Sequence, residues 1–207
     1  MKGLLLKDLY MTKKYCRMVF VCAFIFLAVS MVGNNNVFFA FYPVLITSMI
    51  PVTLIAYDER SRWDIYCGAL PYSRSQIVSS KYLIGLILLG TVWIFTVLSQ
   101  SIAVIVSGGS LWRDSAGWLA ALLAMGLLSE SIIFPVIFKY GAEKGRIVYY
   151  LIIVVFFAAG GSLVVLNEEN HIVWDGRLIT GGLLAAAVLV FTISWKISIK
   201  IYEKKEL

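Results

Sequence analysis

Six long apolar segments constrain this chain more than any other feature of its sequence. They lie at about residues 17–33, 37–57, 81–106, 117–138, 147–166 and 178–199. A helix needs about 20 mostly apolar residues to cross a bilayer, so each segment has roughly the length of one span. The chain is 60% hydrophobic and only 14% charged, which leaves too little polar surface for a soluble domain. We therefore predict an all-α integral membrane protein with six transmembrane helices in a single domain, residues 1–207.

The positions of the basic residues predict how the bundle is oriented. Of the 18 Lys and Arg residues, only Arg113 and Arg177 lie in the first, third and fifth connections between the segments. Because Lys and Arg accumulate on the cytoplasmic side of a membrane, we predict a multi-pass plasma-membrane protein with both termini in the cytoplasm. This topology accounts for the net charge of +6, so we predict no nucleic-acid partner.

Residues 1–16 predict an amphipathic helix in the membrane interface, ahead of the first span. Its lysines are interleaved with leucines, and Asp8 is its single acidic residue. Lysines at an interface extend toward anionic headgroups. We therefore expect membrane lipids to be a partner of this helix.

The longest polar interruption, residues 58–82, lies between the second and third segments. Trp63, Tyr66, Cys67 and Leu70 follow one another at helical spacing, which predicts one apolar face of a short helix. Pro71 is expected to break that helix. Ser73 and Gln76 have the spacing of a capping box, so a further helix is predicted to begin there. Such a connection is either an ordinary loop or a rigid docking element for a soluble partner.

A run of short motifs in this connection carries a resemblance to a known family. The motifs are Asp58 and Glu59, Trp63 and Asp64, Gly68 and Ala69, Leu70 and Pro71, Ser73 and Arg74, Gln76 to Val78, and Lys81 and Tyr82. Their order resembles the second cytoplasmic segment in permease subunits of bacterial type-two ABC exporters. It is most similar to the short permeases of phenol-soluble modulin exporter-like systems.

The resemblance implies a role for this segment and a set of partners. It implies that residues 58–72 are a cytoplasmic coupling segment, whose short coupling helix between helices 2 and 3 docks on a soluble ABC ATPase subunit. It also implies pairing with a second six-span permease, identical or paralogous, and export of a hydrophobic or amphipathic cargo such as a cytolytic or antimicrobial peptide. The residues expected at the docking surface are Asp58, Glu59, Arg60, Arg62, Trp63, Asp64, Tyr66 and Leu70.

Motifs of catalytic or cofactor chemistry are almost absent. No G-x-x-x-x-G-K-[ST] motif is present to bind the phosphates of ATP. The three cysteines and one histidine have no metal-ligand spacing. We therefore predict a non-catalytic subunit that binds no cofactor or metal, with ATP and Mg held by the partner ATPase.

Glu130 is the one ionisable residue well inside a predicted span. A carboxylate at that depth costs at least a few kcal/mol unless it has a partner, reaches water or is protonated. One interpretation is structural, either a polar clamp with Ser129 and Ser131 or a contact to another helix. The other places Glu130 and Ser129 in a translocation path or conformational switch.

Two further classes of function remain open beside an ATP-driven exporter. One is a self-contained secondary transporter or channel, although such proteins usually carry internal repeats that this sequence lacks. The other is a membrane protein that confers immunity to a peptide without transporting it. A soluble ATPase encoded beside this gene would favour the exporter.

The charge pattern predicts which connections are accessible from each side. In a variant with Cys16, Cys22 and Cys67 replaced, single cysteines at positions 35, 112 and 170 should react with an impermeant thiol reagent on intact cells. Cysteines at positions 62, 142 and 205 should react only after permeabilisation. External labelling at position 62 would overturn the orientation and the docking hypothesis with it.

Overall fold

The fold is a bundle of α-helices, described by a computed structural model for residues 2–32, 37–68, 71–106, 112–170 and 176–204. Within those ranges no β-strand occurs. The helices are α1 Lys2–Tyr15, α2 Arg17–Val32, α3 Val37–Ser48, α4 Ile50–Arg60, α5 Trp63–Gly68, α6 Arg74–Val106, α7 Trp112–Tyr140, α8 Ala142–Asn170 and α9 Gly176–Glu203.

Four helical stretches in the described part of the chain are long and apolar enough to cross a membrane. They are Phe41–Arg60, Arg74–Ile102, Gly117–Tyr140 and Thr180–Glu203. Arg17–Ser30 is a shorter apolar helix, and α8 contains the fifth predicted segment. The prediction of an all-α membrane protein agrees with this architecture, and the count of six spans remains a prediction.

A one-residue turn at Met49 interrupts the second predicted span. α3 ends at Ser48, Met49 lies in a turn, and α4 begins at Ile50 with Pro51 in its first turn. Proline lacks an N–H and is tolerated at the start of a helix, where that N–H would have no intrahelical partner. Met49 keeps a right-handed helical backbone, with φ of −81° and ψ of −17°, so α3 and α4 continue as one interrupted stretch, Phe41–Arg60.

The centre of the bundle is an aromatic and hydroxyl cluster around Tyr82 of α6. Its ring stacks on Phe134 of α7 and on Trp195 of α9, with centroids 4.3 Å and 5.3 Å away. Its hydroxyl forms hydrogen bonds with Ser194 and Ser198 of α9, at 2.8 Å and 2.7 Å. A buried phenol needs such partners because an unpaired hydroxyl in an apolar interior is costly. Tyr82 thus ties α6, α7 and α9 together.

The sharp turn between α7 and α8 depends on two glycines. Gly141 connects the helices with φ of 89°, a left-handed conformation that favours glycine. One turn into α8, a Cβ at Gly145 would lie 2.4 Å from Cγ1 of Ile137. The two helices can therefore approach this closely only because residue 145 has no side chain.

Replacing Gly145 by Ala should destabilise the bundle. The added methyl meets the branched part of Ile137, and overpacking of this kind typically costs about 1–3 kcal/mol. We expect a lower midpoint of thermal unfolding in detergent. Gly181→Ala is the matched control, since no described atom lies within 4 Å of a Cβ built there. Equal midpoints for the two variants would contradict the close α7–α8 packing.

Candidate docking site

The segment predicted to dock a partner is built from the end of α4, a turn and the short helix α5. Asp58, Glu59 and Arg60 are the last residues of α4 and not part of the docking helix, which corrects the predicted helix boundary. Arg62 has φ of 53°, a left-handed conformation that few residues other than glycine adopt. The chain therefore changes direction between α4 and α5. Leu70 and the side chain of Asp64 lie outside the described part of the structure.

Four charged side chains form a buried cluster beneath this segment, here named the ion-pair cluster. The Lys81 ammonium lies 2.8 Å from Oδ1 of Asp8 and 2.6 Å from Oδ2 of Asp58. Lys7 lies 2.7 Å from the other oxygen of Asp58. The side chains of Asp8, Asp58 and Lys81 are each at most 7% exposed. Removing such charges from water is costly unless each is paired, so the four residues stabilise one another as a unit.

The ion-pair cluster joins three helices that are distant in sequence. It links α1 through Lys7 and Asp8, α4 through Asp58, and α6 through Lys81. Lys7 was expected at lipid headgroups and Asp58 at the docking surface, and the pairing of Asp8 with Lys81 was not predicted. The available signal was Asp8 itself, a lone acid in a basic amphipathic helix.

Glu59 contacts a second neighbour of the segment, the start of α8. Its carboxylate accepts a hydrogen bond from the backbone N–H of Ala142, at 3.0 Å and 3.1 Å from its two oxygens. The first N–H groups of a helix have no intrahelical partner and carry partial positive charge, so a carboxylate stabilises them. Glu59 therefore caps α8 and connects it to the end of α4.

The aromatic residues of α5 point in different directions, although their spacing predicts a shared face. Trp63 is half-buried and packs against the main hydrophobic core, and the Lys7 ammonium lies 4.1 Å from its ring centroid. Cys67 is buried. Tyr66 is 67% exposed, and Arg60 and Arg62 are also exposed. The inward side of α5 thus rests on the bundle while Tyr66 and the two arginines are accessible.

The predicted capping box at the start of α6 is confirmed. The Ser73 backbone N–H donates to Oε1 of Gln76, and the Gln76 backbone N–H donates to Oγ of Ser73, both at 3.3 Å. α5 ends before Pro71 and α6 begins after Ser73, so Pro71 lies in the break as predicted. These contacts fix where the polar segment gives way to a spanning helix.

Glu130 does not form the predicted clamp with its neighbouring serines. Ser129 donates to the carbonyl of Met125, and Ser131 donates to the carbonyl of Leu127. Both serines therefore satisfy backbone carbonyls of their own helix. The Glu130 side chain is buried and, among the described residues, neither of its oxygens has a hydrogen-bond partner.

Comparison with protein families now identifies the class of molecule. The family model for ABC-2 family transporter protein matches residues 3–203. The chain belongs to this family, so it is a transmembrane subunit of an ABC transporter and works with an ABC ATPase subunit. No curated protein and no solved structure shows significant similarity to it. Family membership favours the permease over the self-contained secondary transporter.

Replacing Lys81 by Met should strongly destabilise the protein. The change leaves the buried Asp8 with only the Lys7 ammonium, 3.5 Å away, and removes one partner of Asp58. Breaking a buried ion pair in this way typically costs about 3–5 kcal/mol. Thermal unfolding in detergent should show a large loss, whereas Lys13→Met, at an exposed site on α1, should show little.

A charge-balanced variant separates electrostatics from packing. Combining Asp8→Asn with Lys81→Met leaves Lys7 paired with Asp58, so the double variant should recover part of the loss. A Lys81→Met protein as stable as Lys13→Met would show that the ion-pair cluster contributes nothing.

Proposed function

We propose that this chain is the permease of an ATP-driven exporter and that α5 with its preceding turn docks the ATPase. The observation that carries the proposal is that this segment is fixed to the bundle on one side and exposed on the other. Trp63 and Cys67 hold its inner side, while Tyr66, Arg60 and Arg62 are accessible. A rigid element of this kind can receive force from a soluble partner without absorbing it in a flexible loop.

The contacts around the segment supply routes by which a displacement of α5 would reach the membrane helices. Asp58 binds Lys81 near the start of α6 and Lys7 on α1. Glu59 binds the first residue of α8. A push on α5 would therefore act on four helices at once, namely α1, α4, α6 and α8. ATP-driven closure of two ATPase subunits would bias the bundle between two arrangements.

The proposed assembly pairs two six-span permeases, identical or paralogous, with two ATPase subunits in the plasma membrane. Both termini of each permease and residues 58–72 face the cytoplasm, in agreement with the distribution of Lys and Arg. The cargo is hydrophobic or amphipathic, and a cytolytic or antimicrobial peptide of the phenol-soluble modulin type fits the resemblance of the segment to those exporters.

The docking proposal assigns different roles to the two aromatic residues of α5. Tyr66→Ala should reduce co-purification of the ATPase and substrate-stimulated ATP hydrolysis about tenfold or more, since an exposed aromatic anchor commonly contributes about 2 kcal/mol to an interface. Trp63→Ala should lower thermal stability first, because it removes a side chain that packs on the core. Charge reversal at Arg60 and Arg62 should weaken binding by less than Tyr66→Ala does. It should also change how strongly binding depends on salt.

Tyr10→Ala is the matched control for Tyr66→Ala. Tyr10 on α1 is 66% exposed, so its loss tests the effect of removing an exposed tyrosine elsewhere. Normal co-purification and coupled hydrolysis in both Tyr66→Ala and the Arg60 and Arg62 reversal would refute docking at this surface.

A further inference from the structure

The strongest unexplained feature outside the docking segment is the Glu130 carboxyl group. It lies near the middle of the apolar stretch Gly117–Tyr140, with a side chain that is 2% exposed. Neither oxygen has a hydrogen-bond partner among the described residues. The contacts assigned above to ATPase coupling do not involve it.

The carboxyl group is enclosed by a reciprocal contact between α6 and α7. A Cβ at Gly85 of α6 would lie 3.0 Å from both oxygens of Glu130. One turn along, a Cβ at Gly126 of α7 would lie 2.4 Å from Cδ1 of Leu89 on α6. Each helix thus offers a glycine to a side chain of the other, and the two pairs are four residues apart on each helix. Small residues allow membrane helices to approach this closely, and the approach leaves Glu130 no room for a hydration shell.

The titratable groups on the helices around α7 are either bonded to other residues or exposed. On α6, Lys81 binds Asp8 and Asp58, and the Tyr82 hydroxyl bonds to serines of α9. On α3, the ring of Tyr42 stacks on Phe26, and on α4, Glu59 accepts from the N–H of Ala142. On α8, Tyr149 donates to the Leu45 carbonyl. Lys196 and Lys200 on α9 are exposed. Among the described residues, no Lys or Arg forms an ion pair with Glu130.

An ionised carboxylate without water, cation or hydrogen-bond donor is far more costly to bury than the neutral acid. We propose that Glu130 is a proton-binding site, and that the bound proton allows α6 and α7 to close at Gly85. On closure the carboxylate takes one proton from water, and on separation of the helices it returns that proton to water. Acidic conditions therefore favour the closed contact, and alkaline conditions favour its opening. This inference does not depend on docking of an ATPase.

Infrared spectroscopy tests the protonation directly. In an ester-free detergent at neutral pH, the wild-type protein should show a carbonyl stretch of a protonated carboxyl group that Glu130→Gln lacks, since exposed Asp and Glu residues are ionised there. Gly85→Ala should shift this band because the new methyl touches the carboxyl group. Gly90→Ala on the same helix should leave it unchanged, because no described atom lies within 4 Å of a Cβ there. Absence of the band in the wild-type protein would overturn the proposal.

Stability measured against pH tests the link between the proton and closure. Glu130→Gln keeps the shape of the side chain but cannot ionise. Its thermal midpoint should exceed that of the wild type at neutral and alkaline pH, and the difference should shrink on acidification, because only the wild type must retain a proton to stay closed. A difference that does not change with pH would contradict the proposal. Should Glu130→Gln fail to fold, the same pH dependence must disappear in Glu130→Ala combined with Gly85→Ala.

Discussion

The cost of burying charge in an apolar bundle organises this protein. Lys81 lies inside the first part of a long apolar helix and can remain charged there because Asp8 and Asp58 lie within 2.8 Å and 2.6 Å of it. Those aspartates come from α1 and α4, so satisfying one lysine fixes the positions of two other helices. The turn that carries α5 follows directly from the end of α4. The docking segment is therefore held in place by the same interaction that compensates the buried lysine.

Much of the fold is predictable from local sequence signals. Apolar segments of spanning length indicate the long helices, and the Ser73 and Gln76 spacing gives the start of α6 because both hydrogen bonds of a capping box are local. The turn at Met49 interrupts an apolar run whose hydropathy alone predicts one continuous helix. The spacing of Trp63 and Tyr66 predicted a shared face, yet only the side of α5 that carries Trp63 and Cys67 rests on the bundle, and Tyr66 is exposed.

The candidate site could be predicted only in outline. The order of the motifs predicted a docking role for the connection at residues 58–72, but not which of its sides is exposed. The ion-pair cluster joins residues up to 73 positions apart, and no local pattern relates Asp8 to Lys81. Similarly, the depth of Glu130 in its segment was evident from the sequence, whereas its contact with Gly85 depends on the packing of α6 against α7. Family membership establishes an ABC transporter subunit, and the proposed docking at α5 would give a soluble partner a route into the bundle.

The central claim is that the accessible side of α5 touches the ATPase. Site-specific photo-crosslinking tests it most directly, with a photoreactive amino acid placed at position 66 or, for comparison, at position 10, in cells that co-express the partner ABC ATPase. The account predicts a crosslink to that ATPase from position 66 and none from position 10. Crosslinks from position 66 to lipid alone, with the complex otherwise intact, would contradict it.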